Sequence, residues 1–194
     1  MGFDVTADAY ASFMGRFSEP LAPQLVDLLE PAPGDRALDV GCGPGTLTAV
    51  LAGRLGADRL AAVDPSPSFV LAVRALLPEV DVRDGAAEEL PFGDEVFDLA
   101  TAQLVVPFMA DPVRGLSEMR RVVRPGGNLL FVSHFAAENG SLWWLERGLA
   151  PASRALGWHP DFAMEALFGP EDLACVTATP APPFGIFKLV RLKL

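Results

Sequence analysis

The sequence contains little of what disulfide-bonded, metal-binding and membrane-spanning proteins require. Among 194 residues there are two cysteines and two histidines. Cys42 and Cys175 are too few for a disulfide scaffold, and two thiols alone make a poor metal site. The longest strongly apolar, uncharged stretch, residues 99–110, falls well short of the roughly 20 residues that span a bilayer. These absences favour a reduced, cytoplasmic, globular protein, for which we expect no metal.

Positive charge is also scarce. Lys and Arg number 15 against 25 Asp and Glu, which gives a formal net charge of −10. Because an acidic surface repels phosphate backbones, we expect no nucleic-acid partner. Docking to anionic membranes needs clustered Lys and Arg, so charge also disfavours a membrane lipid as a partner. Residues 1–16 carry Asp4 and Asp8 without an apolar run, so we expect no signal peptide.

Hydrophobic residues, at 51%, are abundant enough for a sizeable core, and 18 prolines and 18 glycines punctuate the chain. Short apolar runs predict strands, and amphipathic segments between them predict helices. The predicted strands are 37–40, 60–63, 80–83, 97–102 and 128–134. The predicted helices are a first one capped by Ser18, then 46–55, 67–77 and 112–124. This alternation is typical of a parallel sheet covered by helices on both faces.

The last part of the chain departs from this alternation. Helices are predicted at 142–156 and 163–168, followed by strands at 175–179 and 186–192. Two strands so close together favour an antiparallel end to the sheet. The predicted fold class is therefore α/β, a doubly wound, mostly parallel seven-stranded sheet with an antiparallel last strand.

The most informative segment is Leu-Asp-Val-Gly-Cys-Gly-Pro-Gly at 38–45, between a predicted strand and a predicted helix. Its glycines allow a tight turn and close approach of a ligand. Asp64, at the end of the second strand, is placed to accept hydrogen bonds from a ribose diol. The alternative is an ordinary glycine-rich turn with no ligand.

The spacing of this turn bears on which nucleotide it binds. Dinucleotide-binding turns follow G-x-G-x-x-G, which would place the third glycine at Thr46 rather than at Gly45. Asp39, two residues before the first glycine, would repel a pyrophosphate but suits an ammonium or sulfonium ligand. An NAD-linked oxidoreductase is therefore the weaker alternative.

Residues 36–134 resemble the class I S-adenosylmethionine-dependent methyltransferases. The similarity rests on the segment 38–45 and on Val-Asp-Pro-Ser-Pro-Ser-Phe at 63–69. It extends to Ala-Glu-Glu-Leu-Pro-Phe at 87–92 and Arg-Arg-Val-Val-Arg-Pro-Gly-Gly at 120–127. The resemblance implies a Rossmann-like methyltransferase fold, with S-adenosylmethionine bound at the carboxyl ends of the first four strands.

The resemblance also implies roles for individual residues. Those expected around the methionine part of the cofactor are Asp39, Gly41, Cys42 and Gly43, with Cys42 as a small residue that fits beside it. Those expected around the nucleoside are Asp64 at the ribose, the adjoining Pro65, Phe69 on the adenine, and Ala86 and Ala87 at the adenine edge. Gln103 and Leu104 would reach the cofactor's amino group through the backbone.

The family often has an acidic residue where this chain has Ala86. Alanine cannot accept a bond from the adenine amino group, so the adenine would be held by backbone groups or by Asp84. Near the amino terminus, the segment 10–18 resembles a stretch that precedes this domain in small-molecule methyltransferases. Tyr10 could close over the cofactor and Arg16 could meet its carboxylate. The alternative is that the aromatic residues of this segment only pack a helix on the core.

The carboxyl third resembles the bacterial phosphatidylethanolamine N-methyltransferases, for example in Leu-Gly-Trp-His-Pro-Asp-Phe at 156–162. His134, which ends the fifth predicted strand, is a tentative catalytic residue, with a hydrogen-bonded structural histidine as the alternative. The chain is thus predicted to be a single domain over 1–194, with cap helices at 1–35, a cofactor-binding core at 36–134 and substrate-side elements at 135–194. The predicted activity is methyl transfer to a small-molecule or amine-headgroup acceptor. A non-enzymatic S-adenosylmethionine-binding module is the other alternative, and the oligomeric state stays open.

Overall fold

A single sheet of seven strands organises the computed structural model, which describes residues 16–134, 175–181 and 187–194. The strands are β1 Ala37–Val40, β2 Leu60–Asp64, β3 Asp81–Asp84, β4 Phe97–Gln103, β5 Val123–His134, β6 Val176–Ala181 and β7 Phe187–Lys193. The helices of these ranges are α1 Arg16–Leu29, α2 Thr46–Leu55, α3 Pro67–Leu76 and α4 Pro112–Val122, with 3-10 turns at Ala57–Arg59 and Val106–Phe108. The helices predicted at 142–156 and 163–168 lie outside the described residues.

The strand order is β3-β2-β1-β4-β5-β7-β6. Strands β1 to β5 pair in parallel, whereas β7 runs antiparallel to both β5 and β6. The predicted fold class is therefore confirmed, including the antiparallel last strand. Strand β1 lies between β2 and β4, so the order reverses there, and open sheets of this kind bind ligands at the carboxyl ends of the strands at such a switch point.

The central strands β1, β2, β4 and β5 bury side chains on both faces, whereas the edge strands β3 and β6 are mostly exposed. Along β5, Leu129 and Phe131 join one apolar cluster, while Leu130 and Val132 join the other. Successive side chains of a strand point to opposite faces, so each face has its own core. Helix α4 contributes to the first cluster, and helices α1 and α2 contribute to the second. This arrangement explains why the central strands are mostly apolar in sequence, while β3, at the edge of the sheet, is Asp-Val-Arg-Asp.

The starts of three helices differ in their local chemistry. Asp111 precedes α4, and its carboxylate accepts a hydrogen bond from the Arg114 amide at 3.0 Å. Pro67 occupies the first turn of α3, where its missing N–H costs nothing. Helix α1 begins at Arg16, so the prediction that Ser18 caps it is wrong. Ser18 lies in the first turn instead, and its carbonyl accepts a bond from the Gln103 side chain at 2.6 Å.

Strand β5 begins earlier than predicted. Val123 pairs with Phe97, and the next pair in register is Leu99 with Asn128, so the residues between form a bulge inside the strand. Gly126 has a φ of 80°, so the Pro-Gly-Gly sequence lies within the bulge. The bulge is held by hydrogen bonds between Gly126, Gly127 and Leu194. The predicted start of this strand at residue 128 is therefore wrong, because the strand continues through the bulge back to Val123.

Candidate cofactor site

The glycine-rich turn connects β1 to α2 at the carboxyl edge of the sheet. Gly41, Gly43 and Gly45 have φ values of 68°, 53° and 96°, a region that side chains with a Cβ rarely adopt. The amides of Gly41 and Cys42 both donate to the Val63 carbonyl, at 2.8 and 3.1 Å. The turn is thereby fixed to the end of the neighbouring strand β2.

Gly41 is also needed for close packing at the switch point. A Cβ at this position would lie 2.5 Å from a methyl carbon of Val105, which follows β4. Such a contact is too short for any side chain, so only glycine lets the turn and the segment after β4 approach each other. The conformation of the turn is therefore constrained both by the packing of Val105 and by the positive φ angles of its own glycines.

Asp39 is buried below this turn, with 1% of its surface exposed. Its Oδ2 accepts a hydrogen bond from the Thr48 hydroxyl at 2.7 Å, whereas Oδ1 is buried without a partner among the described residues. Burial raises the pKa of Asp39 to about 7, with a further increase from the charge of Asp64, and the Thr48 bond opposes the rise. A buried carboxylate oxygen without a partner is costly unless a donor or a cation meets it.

Thr48 was missed as a site residue by the sequence argument. It is fully buried, in the first turn of α2. The signal was present, since it is one of two hydroxyl residues in the first turn of a mostly apolar helix that starts at the glycine turn. Its partner could not be inferred, because Asp39 lies nine positions earlier on a different element.

Asp64 lies at the carboxyl end of β2, the strand next to β1, and contacts the glycine-rich turn. Its Oδ2 accepts from the Gly43 amide and its Oδ1 from the Ser66 amide, both at 2.8 Å. Burial raises the pKa of its carboxyl, and nearby Asp84 adds to the rise while the two amides lower it. Each carboxylate oxygen has two lone pairs, so one remains on each oxygen for two donors from a ligand. That capacity matches the two hydroxyls of a ribose.

The remaining residues predicted around the nucleoside are distributed over neighbouring segments. Phe69 is 6% exposed in the first turn of α3, and Pro65 is exposed next to Asp64. Ala86 is exposed on the segment after β3, while Ala87 is buried in the core. The structure therefore puts Ala86, rather than Ala87, on the surface beside the end of β2.

The segment after β4 was predicted to act through its backbone. Gln103 is buried, and its side-chain amide donates to the Ser18 carbonyl. Leu104 has a φ of 61°, and its amide donates to the Val132 carbonyl at 2.9 Å. Because the Leu104 amide already donates to Val132, it would not oppose a cationic ligand. An ammonium group at this segment would be bound by backbone carbonyls, which accept its hydrogen bonds.

Four other predicted residues complete the description. Cys42 is 7% exposed beside the turn, and burial raises the pKa of its thiol, so it is a neutral, small group. His134 is the last residue of β5 and is paired in register with Phe187. Arg16 is the first residue of α1, and Tyr10 lies outside the described residues.

The hydrogen-bond acceptors of this site fit S-adenosylmethionine. The unpartnered oxygen of Asp39 suits a cationic group, and Asp64 has lone pairs to spare for a diol. Two carboxylates beside the turn are the opposite of what a pyrophosphate requires. Within the described residues, no group of His, Cys, Asp and Glu could hold a metal ion. No helix in the same ranges is long and apolar enough to cross a membrane.

Comparison with known proteins gives the class. A family described as "Methyltransferase domain" matches residues 38–131. A phosphatidylethanolamine N-methyltransferase from Cereibacter sphaeroides is 36% identical over 168 residues, which cover 84% of this chain and 81% of that protein. The chain therefore belongs to the class I S-adenosylmethionine-dependent methyltransferases. It is an enzyme of that class, and S-adenosylmethionine is its cofactor; the NAD-linked alternative is not supported.

Further relatives act on other acceptors or are longer than this chain. A ubiquinone biosynthesis O-methyltransferase from Methylobacterium is 35% identical over 86% of this chain and 64% of its own length. An uncharacterized methyltransferase from Mycobacterium bovis is 42% identical, but the match covers only 59% of this chain and 45% of that protein. The similarity to relatives thus establishes the reaction type and leaves the acceptor undetermined.

Solved structures agree with the fold. A putative methyltransferase from Haloferax volcanii, solved with a methyltransferase activator, superposes with a TM-score of 0.73 at 19% identity, covering 96% of both chains. A geranyl diphosphate C-methyltransferase from Streptomyces coelicolor, solved with S-adenosylhomocysteine, gives a TM-score of 0.67 at 15% identity, covering 96% of this chain and 82% of that one. At these identities the likeness concerns the fold alone.

Proposed function

We propose that this methyltransferase transfers its methyl group to an amine, either on a small molecule or on an ethanolamine-type headgroup. The observation that carries the proposal is that the match to the phosphatidylethanolamine N-methyltransferase covers most of both proteins, 84% of this chain and 81% of that relative, whereas the match to the O-methyltransferase covers only 64% of that relative. The family match ends at residue 131, whereas 168 aligned residues necessarily reach beyond it. The similarity therefore includes parts of the chain that lie outside the cofactor-binding core, where an acceptor would be selected.

The charge of the protein supports a cationic acceptor. Its formal net charge is −10, and two of its acidic residues, Asp39 and Asp64, lie at the carboxyl edge of the sheet. An ammonium group is attracted to such a surface, whereas a phosphate or an anionic membrane is repelled. The same argument favours a zwitterionic or soluble amine over an anionic lipid.

Methyl transfer to an amine asks little acid–base chemistry of the protein. The cofactor supplies a methyl carbon that is already activated by a positive sulfur. The lone pair of the neutral amine would form the new C–N bond, the C–S bond would break with its electron pair on sulfur, and the amine proton would pass to solvent or to His134. The contribution of the protein is to hold the two reactants in line, which can supply about 7–11 kcal/mol of the barrier.

The residue roles form part of the proposal. Asp39 would face the cationic amino group and Asp64 the ribose, with the glycine turn between them. The other proposed contacts are Tyr10, Arg16, Gly41, Cys42, Gly43, Pro65, Phe69, Ala86, Ala87, Gln103 and Leu104. We also propose a single domain over 1–194, with cap helices at 1–35, the core at 36–134 and substrate-side elements at 135–194.

His134 is proposed to orient the acceptor or to take its proton. It ends β5, so it lies at the same edge of the sheet as Asp39 and Asp64. His134→Gln keeps a hydrogen-bonding side chain that does not titrate near neutral pH, whereas His134→Ala removes it. If His134 takes the proton, kcat in both variants should lose a pH dependence that the wild type shows between about pH 5 and 8. An unchanged pH profile of kcat would contradict the assignment.

The acceptor is tested by measuring formation of S-adenosylhomocysteine with purified full-length protein. The acceptors are phosphatidylethanolamine vesicles, ethanolamine, phosphoethanolamine and a soluble phenol. Turnover on any amine, with none on the phenol, is the expected result, and the vesicle and soluble arms separate a lipid from a free amine. Turnover on the phenol alone would overturn the amine proposal in favour of O-methylation. A parallel assay with Asp64→Ala reveals any contaminating activity.

A further inference from the structure

The connection between β3 and β4 is a parallel crossover that contains no helix. Parallel strands are usually joined through a helix that packs on the sheet. Here residues 85–96 consist of turns, bends and irregular backbone throughout. The connection starts beside the cofactor site, because the Gly85 amide donates to the Asp64 carbonyl at 3.2 Å. Some other part of the protein must therefore hold this segment in place.

Arg121, in the last turn of α4, performs this function with all five of its N–H donors. Its Nε and Nη2 donate to the two carboxylate oxygens of Glu118, at 2.9 and 2.8 Å. The remaining donors reach the crossover: the Leu90 carbonyl at 3.2 Å, the Phe92 carbonyl at 3.0 Å and the Asp94 carboxylate at 2.6 Å. A guanidinium has five donors in a fixed planar fork, so this set satisfies it completely.

Glu118 also forms a hydrogen bond with the segment between β3 and β4. Its Oε2 accepts from the Leu90 amide at 3.0 Å, so Leu90 is held through both its N–H and its carbonyl. The Arg121 carbonyl in turn accepts from the Glu95 amide at 3.0 Å. The hydrogen bond to Arg121 lowers the pKa of Glu118, which keeps it ionised and therefore paired. We call Arg121 and Glu118 the crossover clamp.

Pro91 connects the residues held by the crossover clamp to the backbone at Gly85, next to the candidate cofactor site. Its ring lies 3.2 Å from the position that a Cβ on Gly85 would occupy, so the residue after Leu90 packs directly on the residue before Ala86. Arg83 adds to this packing, since its guanidinium lies 4.4 Å from the centre of the Phe92 ring and donates to the Pro91 carbonyl. A shift at Leu90 would therefore move the backbone at Gly85 and Ala86.

We propose that Arg121 is a positioning residue for cofactor recognition: through Leu90 and Pro91 it fixes the backbone of residues 85–87 where that backbone reads the edge of the adenine. The inference rests on the proposed placement of the adenine beside Ala86 and Ala87. Because Ala86 has no polar side-chain atom, backbone position alone decides how well the base edge is matched. Arg121 acts at a distance and contacts no reacting atom.

The test compares two ligands that differ only at the base edge. S-adenosylhomocysteine carries adenine, whereas S-inosylhomocysteine carries hypoxanthine, in which the donor and acceptor at the edge are exchanged. A backbone that reads adenine leaves unpaired groups against hypoxanthine. The dissociation constants of both ligands are measured by calorimetry for the wild type, Arg121→Lys and Arg54→Lys. Arg54 is the control, because it forms an exposed ion pair with Asp27 on the other side of the sheet.

We expect the wild type to prefer the adenine ligand by about tenfold or more, since hypoxanthine leaves a donor and an acceptor of the backbone without partners. In Arg121→Lys the preference should fall towards one, because lysine cannot bridge the acceptors, while Arg54→Lys keeps it. Glu118→Gln serves as a second variant that should reduce the preference while it retains an acceptor for Leu90. Circular dichroism confirms that each variant is folded.

Two results would overturn the proposal. If both ligands weaken by the same factor in Arg121→Lys, the clamp serves only the stability of the fold. If the wild type shows no base preference, the backbone of 85–87 does not read the adenine. Methyl transfer by the wild type is assayed separately, so the failure of this inference is distinguishable from the failure of the proposed function.

Discussion

Replacement of Asp39 by asparagine should stabilise the free protein and weaken cofactor binding at the same time. The side chain is 1% exposed, and its Oδ1 has no partner within the described part of the chain. Burial raises the pKa of Asp39 from 3.8 to about 7. The folded state therefore holds this proton more tightly than the unfolded state, and keeping the group ionised at neutral pH reduces the free energy of unfolding.

The sign and size follow from linkage. Below pH 4 both states are protonated and Asp39 has no effect. Between pH 4 and 7 only the folded state keeps the proton, so stability falls as pH rises, by about 1.4 kcal/mol per unit. Above pH 7 the loss is constant, at about 4 kcal/mol. Asparagine avoids this loss but leaves a buried NH₂ group without a partner, at a cost of about 1–3 kcal/mol.

Cofactor binding should change in the opposite direction. A charge-assisted hydrogen bond from a cation to a carboxylate is worth about 1.5–3 kcal/mol, so Asp39→Asn should raise the dissociation constant of S-adenosylmethionine roughly 10- to 100-fold. In the wild type, binding should be about tenfold weaker at pH 6 than at pH 8, because Asp39 becomes protonated. The affinity of the variant should lack this pH dependence.

Urea unfolding and titration calorimetry, each between pH 5 and pH 8, measure both effects. The stability difference between Asp39→Asn and the wild type should grow in favour of the variant by about 3 kcal/mol over this range. Thr48→Val supplies a comparison, since it removes the hydrogen bond to Asp39 and leaves the charge. If the wild type and Asp39→Asn unfold with the same pH dependence and bind the cofactor equally well, the account of Asp39 is wrong.

Three further predictions concern the same edge of the sheet. Asp64→Ala should raise the dissociation constant of S-adenosylmethionine well over tenfold, through the loss of two hydrogen bonds worth roughly 1.5–3 kcal/mol each. The control is Asp58→Ala, an exposed residue in the turn before β2, which should leave the dissociation constant unchanged. Equal calorimetric affinities of the two variants would contradict the role of Asp64. Gly41→Ala should lower the free energy of unfolding by about 2–4 kcal/mol, since it combines a left-handed φ with a clash against Val105. Gly34→Ala, with a φ of 96° and open space around its Cβ, should cost only about 1–2 kcal/mol in the same urea titration, and equal losses would show that the Val105 contact is unimportant. Asp84→Asn should keep the calorimetric affinity for S-adenosylmethionine, because the adenine is expected on backbone groups; a loss above about tenfold would assign the adenine to Asp84 instead.

Local chemistry explains why much of the site could be predicted. The glycines of the turn, Asp39 before it and Asp64 after the next strand are all specified by spacing along the chain and by their place at strand ends. A parallel sheet brings those ends to one edge, so the convergence of Asp39 and Asp64 follows from the topology. The predictions of β1, β2 and β4 succeeded for a related reason, since these strands are buried on both faces and are therefore mostly apolar.

Contacts between elements distant in sequence could not be predicted. The approach of Val105 to Gly41 depends on the packing of the segment after β4 against the turn. The pairing of Val123 with Phe97 across a bulge depends on register, which the Pro-Gly-Gly sequence does not define. The clamp of Arg121 on Leu90 joins residues far apart in the sequence, and nothing in either segment alone indicates the partner.

A crystal structure with S-adenosylhomocysteine tests the central claim most directly. The account predicts both ribose hydroxyls within hydrogen-bonding distance of the Asp64 carboxylate, and the ligand's amino group on the side of the turn where Asp39 Oδ1 is buried. A ligand bound elsewhere, or one whose ribose is held by groups other than Asp64, would contradict it.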